Sequence, residues 1–578
     1  MHDLTFAFVG AGGDGAVTAG DILAGVCASE GLHVIKTEAY GPQIRGGESS
    51  ATVRVSSKRI HAQADAVDAL VVFSWADFAR FKNEVVLAAD AVIFHEAADA
   101  PPDEMATRTC HAIPFANLAR KAGAPGSKNI IAVGMLAARY GLPLDVTRHA
   151  ISRRFKKKAE TVIEANLLAF DCGVTEEATL PPAGERLEYT STSPKLLMSG
   201  NEASAFAAIH AGCRFFAGYP ITPSSEILHF LSEWLPKLGG SSLQTEDELS
   251  AIGAIIGASF AGVKSMTATS GPGLSLMAEL LGLSSIAEVP AVIVNVQRGG
   301  PSTGIPTKSE QSDLFHAVYA GHGDTPRVVI ACSDVESSFH ATVDAFNIAE
   351  EYQVPVIVLT EQSIAQRRET ITAGVLEHEV RERRMATPDD LHEYRRYRDT
   401  ADGVSPMSVP GVCGGIYQTN GLEHDEQGRP NASFVVHEAM NAKRYRKLEA
   451  IADRYRLFER FGAEKPEVGV LCWGSSAGVL REAIAHMGVE DRVGVFAPIM
   501  IAPLPAAEIQ AFIDSCRSLL VVEVSYAAQF TQHLRTQVDL PRAKTTVHSR
   551  SGGKTLAASE VEIELRRLLT NVLEEVLA

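Results

Sequence analysis

Short apolar runs that each end in a glycine-rich turn or a helix-like stretch recur along the chain, and this alternation constrains the fold more than any other feature. LTFAFV (4–9) runs into the turn Gly10-Ala11-Gly12-Gly13-Asp14-Gly15, and a helical pattern continues through Ala28. HVIKTEAY (33–40), ATVRVS (51–56), ALVVFS (69–74) and AVIFHE (91–96) follow as strand candidates. Strands alternating with helices predict α/β architecture with a largely parallel sheet. The pattern returns twice. One unit has strands around SMTATS, PAVIVNV, RVVIAC and VPVIVLT, and a long helix from about Glu246 to Ala261. Another starts at VGVLCWGSS (468–476) and continues through GVFAPIMIAP and LLVVEVS (519–525) to a closing helix at 558–577. The predicted domains are 1–190, 195–375 and 461–578, all parallel-sheet α/β. Linker composition lies in PPAGERLEYTSTSP, and an irregular connector spans 376–460 with a charged helix near 437–460. The three units share a pattern but no fixed period.

Charge and cysteines narrow the function. Against 53 Lys and Arg stand 70 Asp and Glu, a net charge of −17. This disfavours nucleic acid and anionic membrane as partners. No apolar run approaches the ~18 residues of a membrane span. MHDLTFAFVGAGGDG has no basic stretch before its apolar run, so it reads as a first strand rather than a secretion signal, and a cytoplasmic protein is expected. The eight cysteines, at 27, 110, 172, 213, 332, 413, 472 and 516, form no CxxC pair. That argues against a local zinc or iron–sulfur site and against a disulfide framework. HExxH is absent as well, so no metal ligand is predicted on this chain.

Several motifs carry chemistry only in context. The turn at 10–15 satisfies GxGxxG after a strand, where small residues let a helix N-terminus meet a phosphate. An NAD reading also asks for an acid closing the next strand, and only Glu38 lies near. GxSxG occurs at 300–304 and at 474–478, and two hits in one chain show how weak that pattern is. The basic run Arg153-Arg154-Phe155-Lys156-Lys157-Lys158 reads as a solvated helix end, with an anionic cofactor tail as the sharper alternative. The densest signal lies between 200 and 314. Tyr219-Pro220-Ile221-Thr222-Pro223 is stiffened by two prolines. Glu246, Asp247 and Glu248 open a helix, which helix-dipole stabilisation alone would explain. Thr269-Ser270-Gly271-Pro272-Gly273 is a tight loop. The long polar segment from Gln297 to Asp313 leaves a buried strand, the place where α/β proteins bind ligands.

Together GYPITPSSE, TEDELSAIGAIIGAS, ATSGPGLSLM and QRGGPSTGIPTKSEQSDL resemble the α chain of 2-oxoacid:ferredoxin oxidoreductases, most nearly the 2-oxoglutarate enzymes. The N-terminal VGAGGDGAVTAGDILA and YGPQIRGGESSATVRVS resemble the fused γ domain of such chains, and GLEHDEQG in the connector is similar to them too. The resemblance implies a Rossmann-like γ domain, a thiamine-diphosphate pyrimidine-binding domain and a transketolase C-terminal-like domain. It implies oxidative decarboxylation of a 2-oxoacid with coenzyme A as substrate and ferredoxin as acceptor, or the reverse. Carried over residue by residue, Glu248 matches the catalytic glutamate that hydrogen-bonds the aminopyrimidine ring, held by the loop Pro220, Ile221 and Thr222. Thr222 and Thr307 match hydroxyls on the substrate side. Arg298 matches the arginine that pairs with the substrate carboxylate. Lys308 is a candidate for a distal carboxylate, with a partner-chain residue equally open.

What this chain lacks is informative within the resemblance. The family's diphosphate and Mg²⁺ motif is GDG followed by asparagine; Gly13-Asp14-Gly15 begins such a string, but the first asparagine after it is Asn83. Cluster-ligating cysteines are missing as well. Both belong to the β chain in this family, so the expected assembly is (αβ)2, with Mg²⁺ and a [4Fe-4S] cluster on the partner and ferredoxin reached through it. Other 2-oxoacids, a non-catalytic subunit and an NAD-dependent dehydrogenase remain as alternatives.

Overall fold

The computed structural model describes residues 2–41, 47–184 and 186–577. The chain forms two compact units, Met1–Met198 with Arg367–Val375, and Ser199–Gln366 with Leu376–Ala578. The short segment 367–375 therefore packs with the first unit, although the sequence groups it with the strands before it. Among the described residues no helix is long and apolar enough to cross a membrane.

The first unit is built on an eight-stranded sheet. Its first strand, Asp3–Ala11, is flanked by Val67–Val72 in parallel and by Glu48–Ser56 antiparallel. His33–Tyr40 pairs antiparallel with Glu48–Ser56, and Arg368–Ile371 adds antiparallel beyond it. The sheet is thus mixed, parallel on the side of Val67–Val72, Leu87–Glu96 and Thr109–Ile113 and antiparallel from Asp3–Ala11 through Glu48–Ser56 and His33–Tyr40 to Arg368–Ile371. The expectation of a largely parallel sheet here is corrected. Only residues 41–47 separate the two strands, fewer than the crossover of about a dozen that a parallel neighbour needs, so the pairing is antiparallel. Over this sheet two helices, Lys128–Tyr140 and Glu160–Glu177, meet backbone to backbone. A Cβ on Gly134 would lie 2.3 Å from the Phe170 carbonyl oxygen, and one on Gly173 2.1 Å from that of Ile131.

The second unit carries two sheets. In the seven-stranded sheet, Ser241–Gln244, Phe215–Gly218, Ser265–Thr269, Ala291–Gln297 and Pro355–Glu361 lie side by side, all parallel. Ser265–Thr269, Ala291–Gln297 and Pro355–Glu361 are buried along their whole length, as strands covered on both faces are, while the edge strand Ser241–Gln244 is mostly exposed. Met500–Ala502 caps the far edge antiparallel to Val328–Ala331. The five-stranded sheet centres on Val468–Cys472. Its edge strand Phe458–Gly462 replaces the end of the charged helix predicted near 437–460, and the helix itself runs Phe434–Arg454. Phe458 stacks on Phe496 at 4.7 Å, a contact across strands that a helical continuation would forfeit. Apolar side chains from both sheets share one core cluster, from Ile252 and Leu274 to Leu471, Trp473 and Phe530.

Candidate active site

The carboxyl ends of the neighbouring parallel strands Ser241–Gln244, Phe215–Gly218, Ser265–Thr269 and Ala291–Gln297 lie along one edge of their sheet. Each is followed by one of the segments singled out in the sequence. In open α/β sheets that edge is where ligands bind.

The three acids that open the helix Glu248–Phe260 take three different positions. Glu246 is exposed. Asp247 is the N-cap: its Oδ1 accepts the Ser250 N–H at 2.7 Å, and that bond holds its carboxyl below the usual range. Glu248 is only 5% exposed. Its carboxylate packs against the first turn of the helix Gly271–Ile286, where a Cβ on Gly273 would lie 2.4 Å from Glu248 Oε1 and 2.0 Å from Thr269 Oγ1. Among the described residues no side chain or N–H donates a hydrogen bond to it. Asp247 takes the capping hydrogen bond, so Glu248 is not needed as a cap, and a dipole interaction alone does not require its burial. A buried carboxylate with unused acceptor capacity is costly unless something satisfies it.

Arg298 follows the buried strand Ala291–Gln297 and is 7% exposed. Its Nη1 donates to the Thr222 carbonyl oxygen at 2.5 Å, which joins two of the predicted site residues directly. Its Nε is buried without a partner. Burial pulls the guanidinium below its usual pKa, and the nearby Asp313 opposes that shift. Asp313 lies at the N-terminus of the helix Gly271–Ile286, where a Cβ on Gly271 would be 2.8 Å from each carboxylate oxygen. Asn295 Nδ2 donates to Asp313 Oδ2 at 2.9 Å, and burial raises the Asp313 carboxyl above its usual range.

The segment after Arg298 closes on itself. The Gly299 N–H donates to the Lys308 carbonyl oxygen at 2.9 Å, and Ile305 N–H to the Gly299 carbonyl oxygen at 2.7 Å. Thr307 and Lys308 are thereby returned beside Arg298, Thr307 exposed and Lys308 partly buried. Pro220 and Thr222 are exposed and Ile221 partly so, on a loop pinned by Ser224, whose Oγ donates to the Ile221 carbonyl oxygen at 3.0 Å.

Some buried polar groups at the carboxyl ends of these strands escape sequence reasoning. Asn295 and Gln297 are fully buried inside PAVIVNVQ, and Glu361 ends the apolar VPVIVLTE at 2% exposure. Polar residues at the carboxyl ends of otherwise apolar strands were the available signal. Glu361 accepts from Gln311 Nε2 at 2.7 Å and from Ser475 Oγ at 2.6 Å. This explains one GxSxG string: Ser475 is held by Glu361, and Ser476 is fully buried. The other string lies in an exposed loop.

The first unit offers a different picture at 10–15. Ala11 N–H donates to Asp14 Oδ2 at 3.1 Å, Gly12 N–H to the Gly47 carbonyl oxygen at 2.7 Å, and Lys128 Nζ binds Asp14 Oδ1 at 3.2 Å. The turn closes on its own carboxylate, which would repel a pyrophosphate. Glu38 is paired with Lys36 and Tyr40. Both features count against the NAD alternative. Arg153, Arg154 and Lys156 to Lys158 are exposed at the end of the helix Leu144–Phe155, as a solvated helix end would be. In YGPQIRGG, residues 42–46 lie outside the described residues.

Comparison with known proteins adds independent findings. Three family models match in chain order: pyruvate ferredoxin/flavodoxin oxidoreductase over 5–176, the thiamine-diphosphate-binding part of pyruvate flavodoxin/ferredoxin oxidoreductase over 206–443, and pyruvate:ferredoxin oxidoreductase core domain II over 466–561. The chain is 38% identical over 368 residues to the 2-oxoglutarate synthase subunit KorA of Methanothermobacter thermautotrophicus, covering 63% of this chain and 96% of that one. It is 30% identical over 591 residues to a 2-oxoacid:ferredoxin oxidoreductase subunit alpha of Sulfolobus sp, covering 91% of each. A solved 2-oxoglutarate:ferredoxin oxidoreductase from Magnetococcus marinus, with 2-oxoglutarate, coenzyme A and succinyl-CoA bound, superposes with a TM-score of 0.93 at 36% identity, covering 98% of this chain and 100% of that one.

Proposed function

The chain belongs to the 2-oxoacid:ferredoxin oxidoreductase family, and from that premise we propose that it is the α chain of a heteromeric 2-oxoglutarate:ferredoxin oxidoreductase. In this reading it interconverts 2-oxoglutarate, coenzyme A and oxidised ferredoxin with succinyl-CoA, CO₂ and reduced ferredoxin. The observation that carries the reading is Glu248: buried, relieved of the capping role by Asp247, and without a hydrogen-bond donor among the described residues.

That carboxylate fits the aminopyrimidine ring of thiamine diphosphate, a flat base whose ring nitrogen can carry a proton. Glu248 would hold a proton between its carboxylate and N1′, with the loop Pro220, Ile221 and Thr222 alongside the ring. When bound, thiamine diphosphate supplies the carbon nucleophile on which a 2-oxoacid loses CO₂. Arg298 orients the substrate: its unpartnered Nε and remaining N–H donors suit a carboxylate, which a guanidinium can grip at two points. The hydroxyls of Thr222 and Thr307 face the same substrate, and Lys308 is the chain's own candidate for the distal carboxylate. Burial around Arg298 and Glu248 lowers the local dielectric and strengthens both interactions.

The diphosphate, its Mg²⁺ and a [4Fe-4S] cluster belong to a β chain, coenzyme A enters as substrate, the assembly is (αβ)2, and ferredoxin docks through the β chain. The name 2-oxoglutarate synthase among the relatives and the 2-oxoglutarate bound in the Magnetococcus marinus structure support the choice of substrate. Anaerobic purification with and without the partner chain tests the proposal. The pair should reduce viologen with 2-oxoglutarate and coenzyme A, with a higher kcat/KM than for pyruvate or branched and aryl 2-oxoacids. The chain alone should be free of iron and inactive. Stoichiometric iron and turnover on the lone chain would overturn the division of labour, and a higher kcat/KM for another 2-oxoacid would overturn the substrate.

A further inference from the structure

Glu310 stands apart from every residue given a role above. It is 9% exposed and closes the Gly/Pro-rich segment that begins at Arg298. Its Oε2 accepts the Gly300 N–H at 3.0 Å and the Ser312 hydroxyl at 3.0 Å. Its Oε1 accepts the Gly552 N–H at 2.9 Å, from a turn some 240 residues further along. The same turn adds a second bond, Gly553 N–H to the Ser309 carbonyl oxygen at 2.9 Å. Gly552 has no room for a side chain, since a Cβ there would lie 2.1 Å from the Ser309 carbonyl oxygen and 2.6 Å from Glu310 Cβ. One buried carboxylate thus fastens the start of the loop at Gly300 to its end at 309–312, and fastens both to the turn 551–553. Between these fixed points lie Thr307 and Lys308, and Arg298 lies two residues before the first.

We propose that Glu310, clasped by the Gly552 turn, is a positioning residue that sets the spacing of Arg298 from Thr307 and Lys308, and with it the length of 2-oxoacid the site accepts. The carboxylate touches no substrate. It acts by accepting the Gly300 N–H at the start of the loop, the Ser312 hydroxyl at its end and the Gly552 N–H of the turn; without these bonds the loop would be free to turn outward. This rests on the 2-oxoacid activity proposed above. Two carboxylate oxygens are required because both ends of Glu310 face donors. An amide keeps one acceptor and turns an NH₂ towards an N–H.

The test uses the assembled enzyme with Glu310→Gln and, separately, Gly552→Ala. Steady-state kinetics on 2-oxoglutarate and pyruvate are combined with hydrogen–deuterium exchange of the 299–308 peptide and a thermal melt. Displacing recognition groups by a fraction of an ångström to an ångström should raise KM for 2-oxoglutarate about 10- to 100-fold. The expected pattern is kcat and the KM for coenzyme A within about threefold of wild type, pyruvate less affected than 2-oxoglutarate, and faster exchange confined to 299–308. A purely structural carboxylate would lower the melting temperature and leave the KM values and their ranking alone, which would overturn the proposal. Unchanged exchange in both variants would show that Glu310 does not hold the loop, with the same consequence. If the wild-type assembly turns over no 2-oxoacid, the activity reading fails and the substrate half of this proposal with it, while the exchange data still decide whether Glu310 holds the loop.

Discussion

Arg298 shows how much a single side chain in this site is asked to do. One nitrogen already binds the Thr222 carbonyl oxygen, another is buried with no acceptor, and burial works against its charge. Leaving a buried donor unmatched costs about 1–3 kcal/mol, so the site favours any ligand that brings an acceptor. Arg298→Ala should cost about 1.5–3 kcal/mol of substrate binding, which is roughly 10–150-fold in kcat/KM for 2-oxoglutarate. Arg298→Lys should recover only part, because an ammonium cannot pair at two points. Steady-state kinetics on the assembled enzyme, with coenzyme A saturating, check this; wild-type kcat/KM in both variants would make Arg298 a structural residue. At this scale the sequence marks which residues to watch but cannot divide labour among neighbours. Glu246, Asp247 and Glu248 are indistinguishable as a string, and only the Asp247 to Ser250 bond shows which acid caps the helix and which is left for chemistry. Asn295 and Gln297 stay hidden for the opposite reason, since two polar residues in an apolar strand look like ordinary edge positions until the strand proves fully buried.

At the scale of elements, the helix Phe434–Arg454 is docked by charge as much as by apolar packing. Lys443 and Lys447, four residues apart and almost fully buried, both reach Glu288, and Arg396 donates to the Glu288 carbonyl oxygen at 2.6 Å. Burial alone would raise the Glu288 carboxyl, but Lys443, Lys447 and Arg396 outweigh it and hold it well below the usual range. Burial also pulls Lys447 from an ordinary 10.5 down to about 7, against the attraction of Glu288. Three cations around one carboxylate leave two in surplus. Glu288→Gln should therefore destabilise the chain by about 3–5 kcal/mol, because it strands buried positive charge, whereas Lys447→Met should be neutral or stabilising. The pH dependence follows in sign. Between about 7 and 10.5 the unfolded chain holds a proton on Lys447 that the folded chain has released, so stability rises with pH across that window. Denaturant melts at several pH values in that window should show a steeper rise for wild type than for Lys447→Met; parallel curves would contradict it. Elements were the most legible level, since hydrophobic periodicity reports helices and strands directly. It does not report strand direction, which is why the antiparallel pairing around Glu48–Ser56 and the strand Phe458–Gly462 emerge only in three dimensions.

For the whole molecule, the sequence's three α/β patterns and the family resemblance both survive in the fold, and the Magnetococcus marinus enzyme aligns over 98% of the chain. What composition could not convey is that the second and third patterns form one compact unit, joined through buried polar groups such as Gln311, which meets Glu361, Trp473 and Val524. On the proposed function this chain is half of an active site: it would contribute the carboxylate that sets the cofactor's proton and the arginine that seats the substrate, and it would rely on a partner for diphosphate, metal and electrons. Glu248 is where that account is most exposed. The measurement is hydrogen–deuterium exchange at C2 of thiamine diphosphate, followed by NMR, in wild-type and Glu248→Gln chains each assembled with the partner chain and Mg²⁺, with assembly confirmed by gel filtration. Glutamine keeps the size and helix position but is a poor proton partner, so exchange should slow by about 10²–10⁴-fold while assembly is unchanged. Exchange at the wild-type rate in the assembled Glu248→Gln enzyme would contradict the account and remove Glu248 from the active site.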